Sequence, residues 1–187
     1  IPWWVHPGDA ASVYRASTPS ESVMTDTRPL RLDFLYLDRS LCERCVATGE
    51  ALDAALAAVA PALAALGVAV ERRDLHIASA ADAAAHDLRL SPTVRLDGRD
   101  LQPEAPRDRC ASCGSLCGCA EGIDCRLWRW RGERHEAPPV ALLVDALLRA
   151  ALGADPDSGP SRSDDSVAAF FAARDDCCAA GTGGGCC

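Results

Sequence analysis

The stretch LRLDFLYLDRSLCERC, residues 30–45, runs a strand-like segment directly into a Cys-x-x-Cys pair, Cys42 and Cys45. Leu32, Phe34 and Tyr36 fall on one face of the strand, and Leu35 and Leu37 on the other. A strand apolar on both faces belongs in the middle of a covered sheet. Downstream, Leu52, Leu56, Val59, Leu63 and Leu66 recur at spacings of four and three. That gives one stripe of a helix over 46–66, with Gly67 placed to stop it and Pro61 expected to kink it.

The same reading extends along the chain. VAVERRDLHI (68–77) predicts a second strand and AADAAAHDL (80–88) a short helix, while TVRLDGRDL (93–101) predicts a third strand with a turn at Asp97-Gly98. CRLWRWRGERHE (125–136) suits an edge strand or hairpin. PVALLVDALLRAAL (139–152) sets Val140, Leu143, Val144, Leu147 and Leu148 on one helical face after Pro139. The predicted order is βαβαββα: an α/β domain over residues 30–152, with a mixed sheet flanked by helices.

The chain has 187 residues, 19 basic and 27 acidic, a net charge of −8. Every basic residue is arginine, a composition expected of a GC-rich bacterial gene. An acidic chain without a basic block argues against nucleic acid and anionic membrane surfaces as partners. Residues 1–29 form an N-terminal extension, with the natural start expected near Met24; the alternative is a processed terminus on which Trp3 and Trp4 pack. The extension lacks the pattern of a signal peptide, and no run reaches the roughly 18 uninterrupted apolar residues of a membrane span. The expectation is a cytoplasmic protein whose thiols stay reduced. GADPDSGPSRSDDS (153–166) reads as a linker, and residues 153–187 as a flexible tail.

Eleven cysteines fall into three groups. An odd count with adjacent pairs does not read as a secreted disulfide framework. Cys42 opens the helix, where unpaired N–H groups and the helix dipole stabilise a thiolate, and Arg39 and Arg44 add positive charge nearby. Such thiols fall from about 8.5 to roughly 3.5–7.5 in pKa. Cys42 is then the nucleophile and Cys45, one turn deeper, the resolving thiol.

Strand, Cys-x-x-Cys, helix and a later Ser91-Pro92-Thr93 together resemble the thioredoxin superfamily over about residues 30–152. Within it the chain looks like an uncharacterised bacterial family catalogued as a domain of unknown function. The resemblance implies a thioredoxin-like fold, Cys42 as attacking and Cys45 as resolving thiol, and Pro92 as a cis-proline facing them. It departs from the family in lacking the residues that usually surround the pair. Asp33 and Asp38 only loosely match the buried proton-handling acid of thioredoxins.

The second group, Cys110, Cys113, Cys117, Cys119 and Cys125, lies in an insertion over 102–125. Its thiolates suit a tetrahedral zinc or a softer ion, disulfides stapling the loop, or a relay to Cys42 and Cys45. The third group is Cys177-Cys178 and Cys186-Cys187. Adjacent thiolates can seize Hg(II), As(III) or Cu(I), and the tail resembles the vicinal-cysteine tails of mercury and arsenic resistance proteins. An unselected terminus and a redox relay remain alternatives. His6, His76, His86 and His135 read as packing or surface residues, Trp128 and Trp130 as core and sheet surface, and Arg126, Arg129, Arg131 and Arg134 as a solvated face.

Two functions follow as expectations. The first is thiol-disulfide redox chemistry at Cys42 and Cys45 with a thiol or disulfide partner protein and no required cofactor. The second is a soft-metal or metalloid binding protein (Hg, As, Cu or Zn) that uses all three cysteine groups as ligands.

Overall fold

The central strand forms where the two-faced apolar run predicts it. In the computed structural model, which describes residues 27–117, 123–153 and 166–179, β1 (Arg28–Tyr36) pairs in parallel with β2 (Val68–His76) and antiparallel with β3 (Thr93–Leu96). β3 turns through Asp97 (φ 48°) and Gly98 (φ 82°) into β4 (Arg99–Asp100). This left-handed pair is the geometry favoured in two-residue hairpins. The sheet order is β2-β1-β3-β4, a mixed sheet.

Each face of the sheet has its own core. On one side α1 (Glu43–Ala65) and α4 (Val140–Ala151) lay Leu52, Ala55, Val59, Leu63, Leu142, Leu143 and Leu147 over Leu30, Leu32 and Phe34. Arg28 fastens α4 to the sheet by donating to the Ala150 and Ala151 carbonyls at the helix C-terminus. On the other side α2 (Ala80–Ala85), the cysteine-rich segment and a C-terminal helix cover Leu35, Leu37 and Ile77. Among the described residues α1 alone has the length and apolar composition to cross a membrane. Its buried stripe lies in the core, like that of a packed helix.

Several expectations need correction. Helix α1 starts at Glu43 rather than Val46 and contains Pro61 at an exposed position. Helix α2 ends at Ala85, and Asp87 turns the chain at φ 44°. Of the two alternatives for segment 125–136, an edge strand or a hairpin, the hairpin forms, separate from the main sheet. Strand β5 (Arg107–Cys110) leads into α3 (Ala111–Cys117) and pairs with β6 (Ile123–Arg126), while β7 (Trp128–Trp130) and β8 (Glu133–His135) form that hairpin. Trp128 joins this hairpin to the core: it is fully buried against α1 and α4, and Arg126 stacks over its ring at 5.1 Å.

The tail assigned as flexible contains a helix, α5 (Ser166–Ala179). Val167, Phe170 and Phe171 sit at i, i+3 and i+4 and are buried, and Arg174 completes the stripe at i+7. The extension over 1–26, the proposed start at Met24 and residues 154–165 lie outside the described residues.

Candidate thiol site

The loop entering α1 is built around Asp38, whose carboxylate accepts from the Ser40 and Leu41 backbone N–H groups and the Ser40 hydroxyl. Those bonds hold the Asp38 carboxyl below the usual carboxylate range, against the opposing push of burial. The turn delivers Cys42 to the N-cap of α1, where its carbonyl accepts from Val46 N–H. Cys45 lies one turn deeper, and both cysteines are fully buried. The Ser91–Pro92 peptide is cis. From that turn Ser91 Oγ lies 3.8 Å from Cys45 Sγ and accepts from Leu37 N–H.

The cysteine-rich segment folds back over this pair. Arg126 ties β6 to the cis turn: its N–H donates to the Ser91 carbonyl, and its guanidinium donates to Thr93 Oγ1 and Asp100. That brings in Cys125. Arg44, on the first turn of α1 and only 7% exposed, donates to the Asp108 and Arg109 carbonyls of β5 and pairs with Glu136 at 2.9 Å. That brings in Cys110 and, at the start of α3, Cys113.

Cys42, Cys45, Cys110, Cys113 and Cys125 are all reduced and buried in one cluster. The Cys42, Cys110 and Cys113 sulfurs lie within 4.8 Å of one another. Cys113 donates to Cys42 at 3.7 Å, and Cys125 to Cys113 at 3.2 Å. Two thiolates on one tetrahedral ion, each at about 2.3 Å, stand about 3.8 Å apart, so the Cys42–Cys113 separation is that of ligands sharing an ion. This buried group of three cysteines could hold a metal ion.

The thiols do not share charge equally. Contact with Cys110 pushes the Cys42 thiol up, but hydrogen bonds from Cys113 and Cys45 outweigh it and the net shift is downwards. The Cys45 backbone N–H also favours the Cys42 thiolate, although its geometry falls short of a full capping bond. Cys110 is held well below the ordinary thiol value by hydrogen bonds from Cys113, Cys125 and Cys42. Cys113 is pushed up by the neighbours it serves, Cys110 first. Cys45 is raised by its bond to Cys42 and then by burial, and Cys125 is raised chiefly by Cys110. The mutual contacts thus favour the thiolate form at Cys42 and Cys110 and the protonated form at Cys45, Cys113 and Cys125.

The sequence reading is met unevenly. Cys42, Cys45, Cys110, Cys113 and Cys125 come together as one site rather than two, which spacing alone did not reveal. Arg44 is at the cluster, but Arg39 is not: it lies over Phe34 and Tyr36 at 5.6 Å and pairs with Asp74. Asp33 is buried between Arg73 and Arg31, away from a proton-handling role. Cys117 belongs to α3, and Cys177 and Cys178 to the last turn of α5, but their side chains are outside the described set, as are Cys119, Cys186 and Cys187. The wall formed by α5 was missed. Its only sequence signal was the Val167, Phe170, Phe171 spacing.

Fold and site together define an α/β domain with a mixed sheet, helices on both faces and a buried multi-thiol cluster under one of them. The chain belongs to the family described as Domain of unknown function (DUF2703), which matches residues 30–147 and therefore takes in all five clustered thiols. Neither the curated proteins nor the solved structures provide a match to the chain.

Proposed function

We propose that this protein binds a thiophilic metal or metalloid ion through Cys42, Cys110 and Cys113, on a thioredoxin-like scaffold and in the reducing cytoplasm. The observation that carries the reading is the convergence of three buried sulfurs within 4.8 Å of one another. Soft thiolate ligands select soft ions, and an enclosed apolar site suits retention rather than turnover. Full burial of Cys42 also counts against rapid attack on a partner protein's disulfide, since exchange needs access to the thiolate.

Titration of the reduced protein with Hg(II), followed by sulfur-to-metal charge-transfer absorbance and thiol counting, tests this. Stoichiometric uptake that is lost in Cys113→Ser is expected. Uptake unaffected by Cys113→Ser would overturn the assignment of the site.

A redox reading draws on a separate observation: Cys42 and Cys45 open a helix beside a cis-proline turn that touches Cys45 through Ser91. In that reading Cys42 attacks, Cys45 resolves and Pro92 shapes the surface beside them. Reversible formation of a Cys42–Cys45 disulfide by a thioredoxin-reductase system would support it, and a pair that stays inert would count against it.

A further inference from the structure

The thiol cluster sits in unusually apolar surroundings. Leu35, Leu37, Ile77, Ile123, Phe170 and Phe171 share its core. The one buried arginine whose charge faces the sulfurs, Arg44, is already paired with Glu136. Among the described residues the pocket therefore has little spare positive charge to neutralise an anionic complex. A divalent ion held by three thiolates carries one net negative charge, and by four thiolates two. Leaving such charge buried and uncompensated is costly. A trivalent centre with three thiolates is neutral.

Ligand number points the same way. Three sulfurs are mutually close, whereas Cys125, in contact with Cys110 and Cys113, lies outside that mutual set and Cys45 is engaged with Cys42 and Ser91. A set of three close sulfurs suits a pyramidal centre whose remaining side carries a lone pair and needs only apolar contact. Zinc in a structural site takes four ligands.

We infer that the ligand of this site is a trivalent metalloid of the arsenous-acid type, bound as a neutral three-sulfur complex by Cys42, Cys110 and Cys113. The inference rests on the thiophilic-ion reading above and sharpens it. Binding is a ligand exchange without oxidation or reduction. Three As–O bonds break and three As–S bonds form, and each thiol proton leaves with a hydroxide as water, so one arsenous acid and three thiols give one complex and three waters.

The test is arsenite titration of the full reduced chain, in parallel with a chain carrying serine at Cys177, Cys178, Cys186 and Cys187 so that tail binding is separated from the buried site. Expected are uptake of one arsenic with loss of three free thiols in the tail-substituted chain, at least that uptake in the full chain, and an X-ray absorption spectrum of the tail-substituted chain reporting three As–S bonds. Cys42→Ser, Cys110→Ser and Cys113→Ser should each weaken binding at least tenfold, while Cys45→Ser and Cys125→Ser stay within a few-fold. Circular dichroism of each variant checks the fold, and the absorption spectrum needs no substitution within the cluster.

Uptake of Zn(II) or Hg(II) without arsenite would overturn the metalloid inference and leave the broader function standing. Uptake of none of the three would overturn both. Arsenite binding that disappears with the tail cysteines, or that shows two sulfurs, would also overturn the inference.

Discussion

Arg44 shows how one side chain can serve packing and chemistry together. Its fork holds two β5 carbonyls against α1 and its charge faces Cys110 and Cys125. Arg44→Met keeps the apolar stem but removes the hydrogen bonds to those carbonyls, a cost of about 1–3 kcal/mol. The urea midpoint should fall accordingly and Cys110 should alkylate more slowly at neutral pH. Arg44→Lys should recover charge without the fork and remain less stable than the native protein. The cluster also sets a pH dependence whose sign can be worked out. Cys45, Cys113 and Cys125 have raised values, so their contribution is complete below the unfolded thiol value of about 8.5 and is lost as pH rises above it. Cys42 and Cys110 have lowered values, so theirs is complete above about 8.5 and is lost as pH falls towards their folded values. The thiol contribution therefore peaks near pH 8.5. Denaturant unfolding of the reduced protein across the pH range should show an alkaline decline that is diminished in Cys113→Ser; an identical decline in both would refute it. At this scale the sequence was informative about Cys42 and Cys45, because the helix-start position of a Cys-x-x-Cys is local. It could not show that Arg44 is buried, since its partners lie far along the chain.

At the scale of elements, two junctions govern the site. One is the N-terminus of α1, where Cys42 belongs both to the Cys42–Cys45 pair and to the group with Cys110 and Cys113. A sulfur bonded to Cys45 cannot also bind an ion, so oxidation to the Cys42–Cys45 disulfide should abolish uptake by the three-cysteine site. The same oxidant should have little effect on ion binding by Cys45→Ser, as measured by intact mass. The other junction is α5. Phe170 and Phe171 meet edge to face at 5.1 Å, Arg174 lies over Phe171 and donates to the Ala78 carbonyl, and Val167 N–H donates to the Arg89 carbonyl. Phe171→Ala removes a fully buried ring, a loss of about 3–5 kcal/mol. Because α5 is part of neither the sheet nor the α1–α4 core, this should appear as undocking of the helix and several-fold faster labelling of the clustered thiols rather than as global unfolding. An unchanged labelling rate would show that α5 does not close the site. The helices at 43–65 and 140–151 were legible because their periodic faces are long. Helix α5 was not, because its short stripe follows a linker-like stretch and its docking surface is built by residues far upstream.

For the whole molecule, the sheet separates two kinds of core. The α1–α4 side is almost entirely aliphatic and aromatic, and the opposite side contains the sulfur. Ion binding that acts only on the folded state stabilises it by mass action, about 2.7 kcal/mol at a hundredfold excess over Kd. Thermal unfolding of the reduced protein should therefore shift upwards by several degrees on loading, and chelation by a small dithiol should reverse the shift. The architecture was readable from β1 because one strand's alternation dictates what lies on either side of it. The assembled site was not, because nothing in the spacing of Cys110, Cys113 and Cys125 shows that β5 and β6 fold back onto residue 42. The matched family region ends at residue 147, whereas α5 begins at Ser166. Reactive sulfur and its cover thus occupy separable stretches of chain, so substitutions in the second could retune how fast the first exchanges with its surroundings, leaving every ligand in place. Selection could then adjust residence time independently of affinity.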